Sequence, residues 1–204
     1  CLDGESSFGP PSQVDMMDTR IEQLRNSSGE ADTHGLSNEL VDSFLKIDPN
    51  LNIALDLAIK ARENLDDEVE DLLVSLNESQ FARELQKDFV NFYEPSTVNP
   101  YIPLAAKGPW IITTHGAVVH DNGGYGMLGM GHDPTEVMSS MSKSHVMANV
   151  MTPSVTHKRF ADTLKREVGH TRGACPFDRF ICMNSGSESV TVAMRISDIN
   201  ARLM

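Results

Sequence analysis

Residues 179–203 read RFICMNSGSESVTVAMRISDINARL. Arg179-Phe180-Ile181-Cys182-Met183 reads as a short strand, Asn184-Ser185-Gly186-Ser187-Glu188 as a turn, and the chain from about Ser187 to its end as a helix. Strand, small-residue turn and helix in this order indicate an α/β fold. They also suggest a chemistry, because the first amides of a helix have no intrahelical acceptor and can hold a phosphate dianion. Gly186 lets the backbone approach an anion closely, Ser187 offers an amide and a hydroxyl, and Ser185 adds a second hydroxyl. The same spacing also describes a capped helix with no ligand, and Glu188 in the first turn reads as a dipole or capping partner.

Upstream, a helix is expected over about Thr156–Glu167, and another is opened by His132-Asp133-Pro134-Thr135-Glu136, which supplies a cap, a first-turn proline and a glutamate three residues after the cap. Trp110–Thr113 and Ala117–His120 read as two strands joined by the tight turn Thr114-His115-Gly116, where Gly116 supplies a positive φ. Pro95, Pro100, Pro103 and Pro109 make residues 94–109 an extended connector. Before it, residues 36–93 form an acidic helical extension. Ser37 caps its first helix and Asp48-Pro49 starts the next, with core face Leu51, Leu55, Ala58 and Ile59; a third opens near Asn77 with the apolar stripe Phe81, Leu85, Phe89 and Phe92. The acid run Asp66, Asp67, Glu68, Glu70 and Asp71 is expected on a solvated face or first turn. Residues 1–35, rich in Gly, Pro, Ser and acids, are expected to be a flexible acidic tail.

The 204 residues carry a net charge of −12, unevenly distributed: residues 1–100 hold 21 acids against 7 bases, and residues 101–204 hold 8 against 10. An acidic first half argues against nucleic-acid binding, which needs clustered Lys and Arg. No window approaches the roughly 18 apolar residues of a membrane span. Cys1, Cys175 and Cys182 form no CxxC pair, so neither a disulfide framework nor a zinc site is expected, Cys182 is placed in a buried strand, and the chain reads as intracellular, in cytoplasm or an organelle matrix. The histidine spacings share no helical face for a metal, and Met127, Met130, Met138, Met141, Met147 and Met151 read as core or interface packing. Gly186-Ser187-Glu188-Ser189-Val190 lacks the second glycine of a nucleophile elbow. Cys1 and Met204 read as cut ends of a fragment.

Phe180–Ser197 resembles the phosphate-cup segment of class III aminotransferases, pyridoxal phosphate enzymes of fold type I, in which a strand runs into N-S-G-[ST]-E and a helix. Residues 107–126, KGPWIITTHGAVVHDNGGYG, resemble the opening hairpin of that family, with Gly116, Asp121 and Gly124-Tyr125-Gly126 in its register. Gly131–Val137 resembles its G-H-x-x-P-E-V helix start. The resemblance spans residues 108–203, about half the chain, and departs from the family at Thr114-His115-Gly116, where an Asp often precedes the Gly.

The resemblance implies that residues 110–204 are the hairpin arm plus the start of a large three-layer α/β domain, the N-terminal portion of a fold type I transferase. It implies pyridoxal 5′-phosphate as cofactor, its phosphate held by Gly186 and Ser187 with Ser185 beside them. Tyr125 would lie near the active-site mouth or a subunit interface, or simply pack. The implied reaction moves an amino group from an amine or amino acid to a 2-oxo acid or aldehyde, in a homodimer or larger assembly. The stacking aromatic, the aspartate on the ring nitrogen and the Schiff-base lysine of that family all follow the phosphate segment. Every lysine here, Lys46 to Lys165, precedes it, so no catalytic residue is assigned to this chain. The alternative is a noncatalytic scaffold or interaction subunit derived from a truncated aminotransferase, docking through its acidic helices.

Overall fold

Helices α1 (Thr19–Asn26), α2 (Asn38–Leu45), α3 (Pro49–Glu63), α4 (Asp67–Ser75) and α5 (Glu78–Gln86) precede strands β1 (Pro103–Lys107), β2 (Trp110–Thr113) and β3 (Val118–His120), which are followed by α6 (Thr135–Met141), α7 (Val155–Gly169) and α8 (Gly186–Leu203). The computed structural model describes residues 17–90, 101–122, 129–146 and 152–203. The fold is mixed α/β, and the chain divides into two units, one up to Lys143 and one from Ser144 onward.

In the first unit the sheet is antiparallel in the order β1-β2-β3. Pro103 opens an edge strand, where its missing donor does no harm. A hairpin joins β2 to β3: Thr113 N donates to Ala117 O at 3.0 Å, and Gly116 takes φ +72° as its turn requires. A three-stranded sheet must bury one face, and α3 covers it. Leu51, Ala54, Leu55 and Ala58 recur at helical spacing and pack with Trp110, Ile112 and Val118 in one cluster that also takes in Val41 of α2. Full burial of each large apolar side chain contributes about 1.5–3 kcal/mol. The expected boundary between a helical extension and residues 110–204 therefore runs through a single core. The connector expected over 94–109 holds β1, and its residues 91–100 lie outside the described residues.

The tail expected over 1–35 is structured where it is described. Asp18 caps α1, and Ile21 and Leu24, three residues apart on one face, belong to the same core cluster. Asp48 caps α3 through Asn50 N at 2.9 Å, and Asn77 with Gln80 forms a reciprocal capping box on α5. The apolar stripe of the third helix divides: Phe81 is buried, while Phe89, beyond the end of α5, is 79% exposed. The acid run opens α4, with Asp67, Glu68 and Glu70 in its first turn.

The second unit contains α7, capped by Ser154, and α8. Gly169 is the one residue of either helix that is buried, because the following turn folds back on it: a Cβ there would stand 2.7 Å from Cys175 N. Residues 179–183 have no strand structure, and Ile181, Cys182 and Met183 are exposed rather than buried. A strand needs a paired neighbour, and among the described residues the sheet lies wholly in the first unit. Among the described residues no helix is long and apolar enough to cross a membrane.

Candidate functional site

Ser185, Gly186 and Ser187 open α8. Ser185 Oγ accepts from Glu188 N at 3.2 Å, and the Glu188 carboxylate accepts from Ser185 N at 3.2 Å and from Asn184 N at 3.0 Å. This is a capping box built from S-x-x-E, so Ser185 and Glu188 act as reciprocal caps. Gly186 and Ser187 occupy the next two positions, whose amides have no intrahelical acceptor. A Cβ at Gly186 would meet no heavy atom within 4 Å, so the approach to these amides is open. The donors left for an anion are thus the two amides and Ser187 Oγ, which suit a phosphate dianion, while the Glu188 carboxylate beside them opposes one.

The other two segments matched by the resemblance meet in the first unit. Gly108 and His132 form an antiparallel bridge, Gly108 N donating to His132 O at 3.0 Å and His132 N to Gly108 O at 2.7 Å. A Cβ on Gly131 would stand 2.9 Å from the Gly108 backbone, and Gly131 has φ +74°. His132 Nε2 lies 3.1 Å from Asp121 Oδ2. Asp133, expected as the cap of α6, instead gives its carboxylate to Lys107 Nζ at 2.8 Å and takes φ +45°; α6 starts from Pro134 with no side-chain cap. Tyr125, with Gly124 and Gly126, lies outside the described residues.

Among the described residues no group of three or more His, Cys, Asp and Glu side chains could hold a metal ion. Met130, Met138 and Met141 are exposed and belong to no core cluster, while Met127, Met147 and Met151 lie outside the described residues.

The sequence reading missed a buried polar joint. Glu78 of α5 and His115 of the β2–β3 turn are buried, with Arg62 of α3 nearby. Glu78 Oε2 accepts from Asp32 N at 2.9 Å and from Thr33 N at 2.7 Å. Burial holds the His115 imidazole below the usual histidine range, against the pull of Glu78 and Asp32. A cleft of about 680 Å³, lined among others by Arg25, Thr33, His34 and His115, adjoins it. The one sequence signal was His115 itself, a histidine where the resembling turn often carries Asp.

Compared with protein-family models, curated proteins and solved structures, the chain matches none.

Proposed function

We propose that the chain is the N-terminal part of a pyridoxal phosphate-dependent aminotransferase of fold type I, which moves an amino group from an amine or amino acid to a 2-oxo acid or aldehyde in a homodimer. The observation that carries this reading is the start of α8: Gly186 and Ser187 leave two amides and a hydroxyl open to an anion, at the positions that the resemblance assigns to the cofactor phosphate. Pyridoxal phosphate, when bound, supplies an electron sink for negative charge at the substrate Cα. The role of this chain would be to orient that group by its phosphate, through Gly186 N, Ser187 N and Ser187 Oγ, while Ser185 and Glu188 keep the helix start rigid. Moving the Cα proton falls to no residue here, since no lysine follows Lys165.

A noncatalytic interaction subunit is the second reading, favoured by Glu188, whose carboxylate already satisfies the amides of Asn184 and Ser185 and repels an anion. Equilibrium dialysis of the full chain against pyridoxal phosphate and against pyridoxal separates the two. The first reading expects preferential retention of the phosphate ester, and loss of that preference in Ser187→Asp, where a new charge opposes the phosphate. Equal retention of both compounds, as surface amines alone would give, sinks it.

A further inference from the structure

We propose that Glu78, His115 and residues 27–36 form an acid-released latch that holds the α4–α5 pair against the core of the first unit. The attachment is polar. Leu73, Phe81 and Ala82 of the pair are buried, but none belongs to the cluster that unites α1–α3 with the sheet. The segment 27–36 bridges the two. Towards the pair, Gly29 N donates to Leu73 O at 2.8 Å, Glu78 N to Glu30 O at 2.9 Å, and Ser79 N to Asp32 Oδ2 at 3.0 Å, besides the two amides on Glu78 Oε2. Towards the core, Ser28 Oγ donates to Thr114 O at 3.0 Å, Leu36 N to Val118 O at 2.9 Å, and Arg62 Nη2 to Ser27 O at 2.5 Å. Arg62 also pairs with Glu70 of α4.

The weakness of this joint lies in the same residues. Among the described residues, three buried side-chain atoms have no hydrogen-bond partner: Arg62 Nε, Glu78 Oε1 and His115 Nε2. All three belong to the joint, on side chains 6%, 2% and 1% exposed. His115 packs near the Phe81 ring, centroids 6.4 Å apart, and its Nδ1 meets Thr114 Oγ1 at 3.0 Å. The charged and titratable groups around it are Glu78 from α5, Asp32 and His34 from the segment, Arg25 from α1, and Arg62 from α3, which is itself paired with Glu70 of α4. The two acids favour an imidazolium and Arg62 opposes it, but burial outweighs them, so the closed joint binds the proton more weakly than an opened, hydrated one. Opening is then linked to uptake of one proton. Below the usual histidine range, near pH 6.5, the opening equilibrium rises by up to about tenfold per pH unit.

Amide hydrogen exchange of the full chain, read by mass spectrometry between about pH 7.5 and about pH 5 with labelling times scaled for intrinsic exchange, tests this. Peptides of residues 27–36 and 67–86 should lose protection by up to about tenfold per pH unit while those of α3 and β2 keep theirs, and His115→Gln should abolish the difference. Loss of protection in parallel across α3 and β2, or an unchanged acid response in His115→Gln, overturns the proposal. Should His115→Gln loosen the pair already at neutral pH, the unmodified chain decides by NMR. The His115 ring should titrate below the usual histidine range, with the α4–α5 amides shifting in the same step; an ordinary titration or silent amides would refute the latch.

Discussion

Asp48 joins a helix start to the sheet with one carboxylate. Its Oδ1 accepts from Asn50 N at 2.9 Å and its Oδ2 from Trp110 Nε1 at 2.7 Å. Burial pushes its pKa up, but these hydrogen bonds outweigh burial and hold the group below the usual carboxylate range. A depressed folded pKa means stability that is complete above the unfolded value, about 3.9, and lost as pH falls through the lower folded value. Asp48→Ala removes a cap and strands a buried indole donor, a loss of about 2–4 kcal/mol. Urea unfolding followed by fluorescence of Trp110, the single tryptophan, should show the midpoint fall with an unchanged slope; a loss under about 0.5 kcal/mol, the level of an ordinary surface substitution, would mean that this bridge does not hold α3 on the sheet. Gly116 is the other single-residue lever. An alanine Cβ at φ +72° would stand 2.8 Å from Arg25 Cγ and 3.1 Å from Arg25 N, so the strain, about 1–3 kcal/mol, comes with displacement of α1. Thermal unfolding of Gly116→Ala should drop by several degrees, and an unchanged midpoint would show the turn to be pliable.

Helix starts announce themselves in sequence because the capping side chain lies within three residues of the amide it serves. Ser37, Asp48-Pro49 and Asn77 were therefore legible, as was the hairpin around Gly116. What was not legible depended on partners distant in the chain. The strand expected at Phe180–Met183 has apolar residues but no neighbour to pair with among the described residues. Helix α1 was hidden in a polar stretch because Ile21 and Leu24 alone reach the core. Asp133 left its capping role for Lys107, 26 residues earlier. Of the candidate site, the helix start was legible and the reciprocal bonds of Ser185 and Glu188 fit its S-x-x-E spacing, but the buried pairing of Glu78 with the backbone of Asp32 and Thr33 spans 46 and 45 residues, with no local trace. Helix α8 has no buried residue in its 18, so it stands on its cap and intrinsic propensity, which leaves an isolated helix marginal. Ser185→Ala should lower its stability by about 1 kcal/mol, seen as Cα chemical shifts of residues 186–195 moving toward coil. If those shifts stay fixed, α8 is held by something other than its cap.

At the scale of the molecule, the two units differ in what stabilises them. The first has a contiguous core of Ile21, Leu24, Val41, Leu51, Leu55, Trp110, Ile112 and Val118, whereas α7 and α8 bury only Gly169. Regions with few buried apolar side chains open with small free energies, and proteases cut what opens. Trypsin should therefore cleave first at Lys158, Arg159, Lys165, Arg166, Arg179, Arg195 and Arg202, and leave a product ending near Lys143 with the fluorescence of Trp110 unchanged. Cleavage at Lys60 or Arg62 at the same rate would mean that the α3 core is no more stable than the second unit. Protein concentration adds a second arm to the experiment. On α8, Val192, Ile196, Ile199 and Leu203 recur at spacings of four, three and four along one face, and the last three are exposed. If the proposed homodimer covers that stripe, mass action ties protection to concentration. Cleavage at Arg195 and Arg202 should then slow as the chain is concentrated, while cleavage at Lys143 changes little; rates independent of concentration at all three sites would leave the stripe uncovered and remove the homodimer from the proposed function.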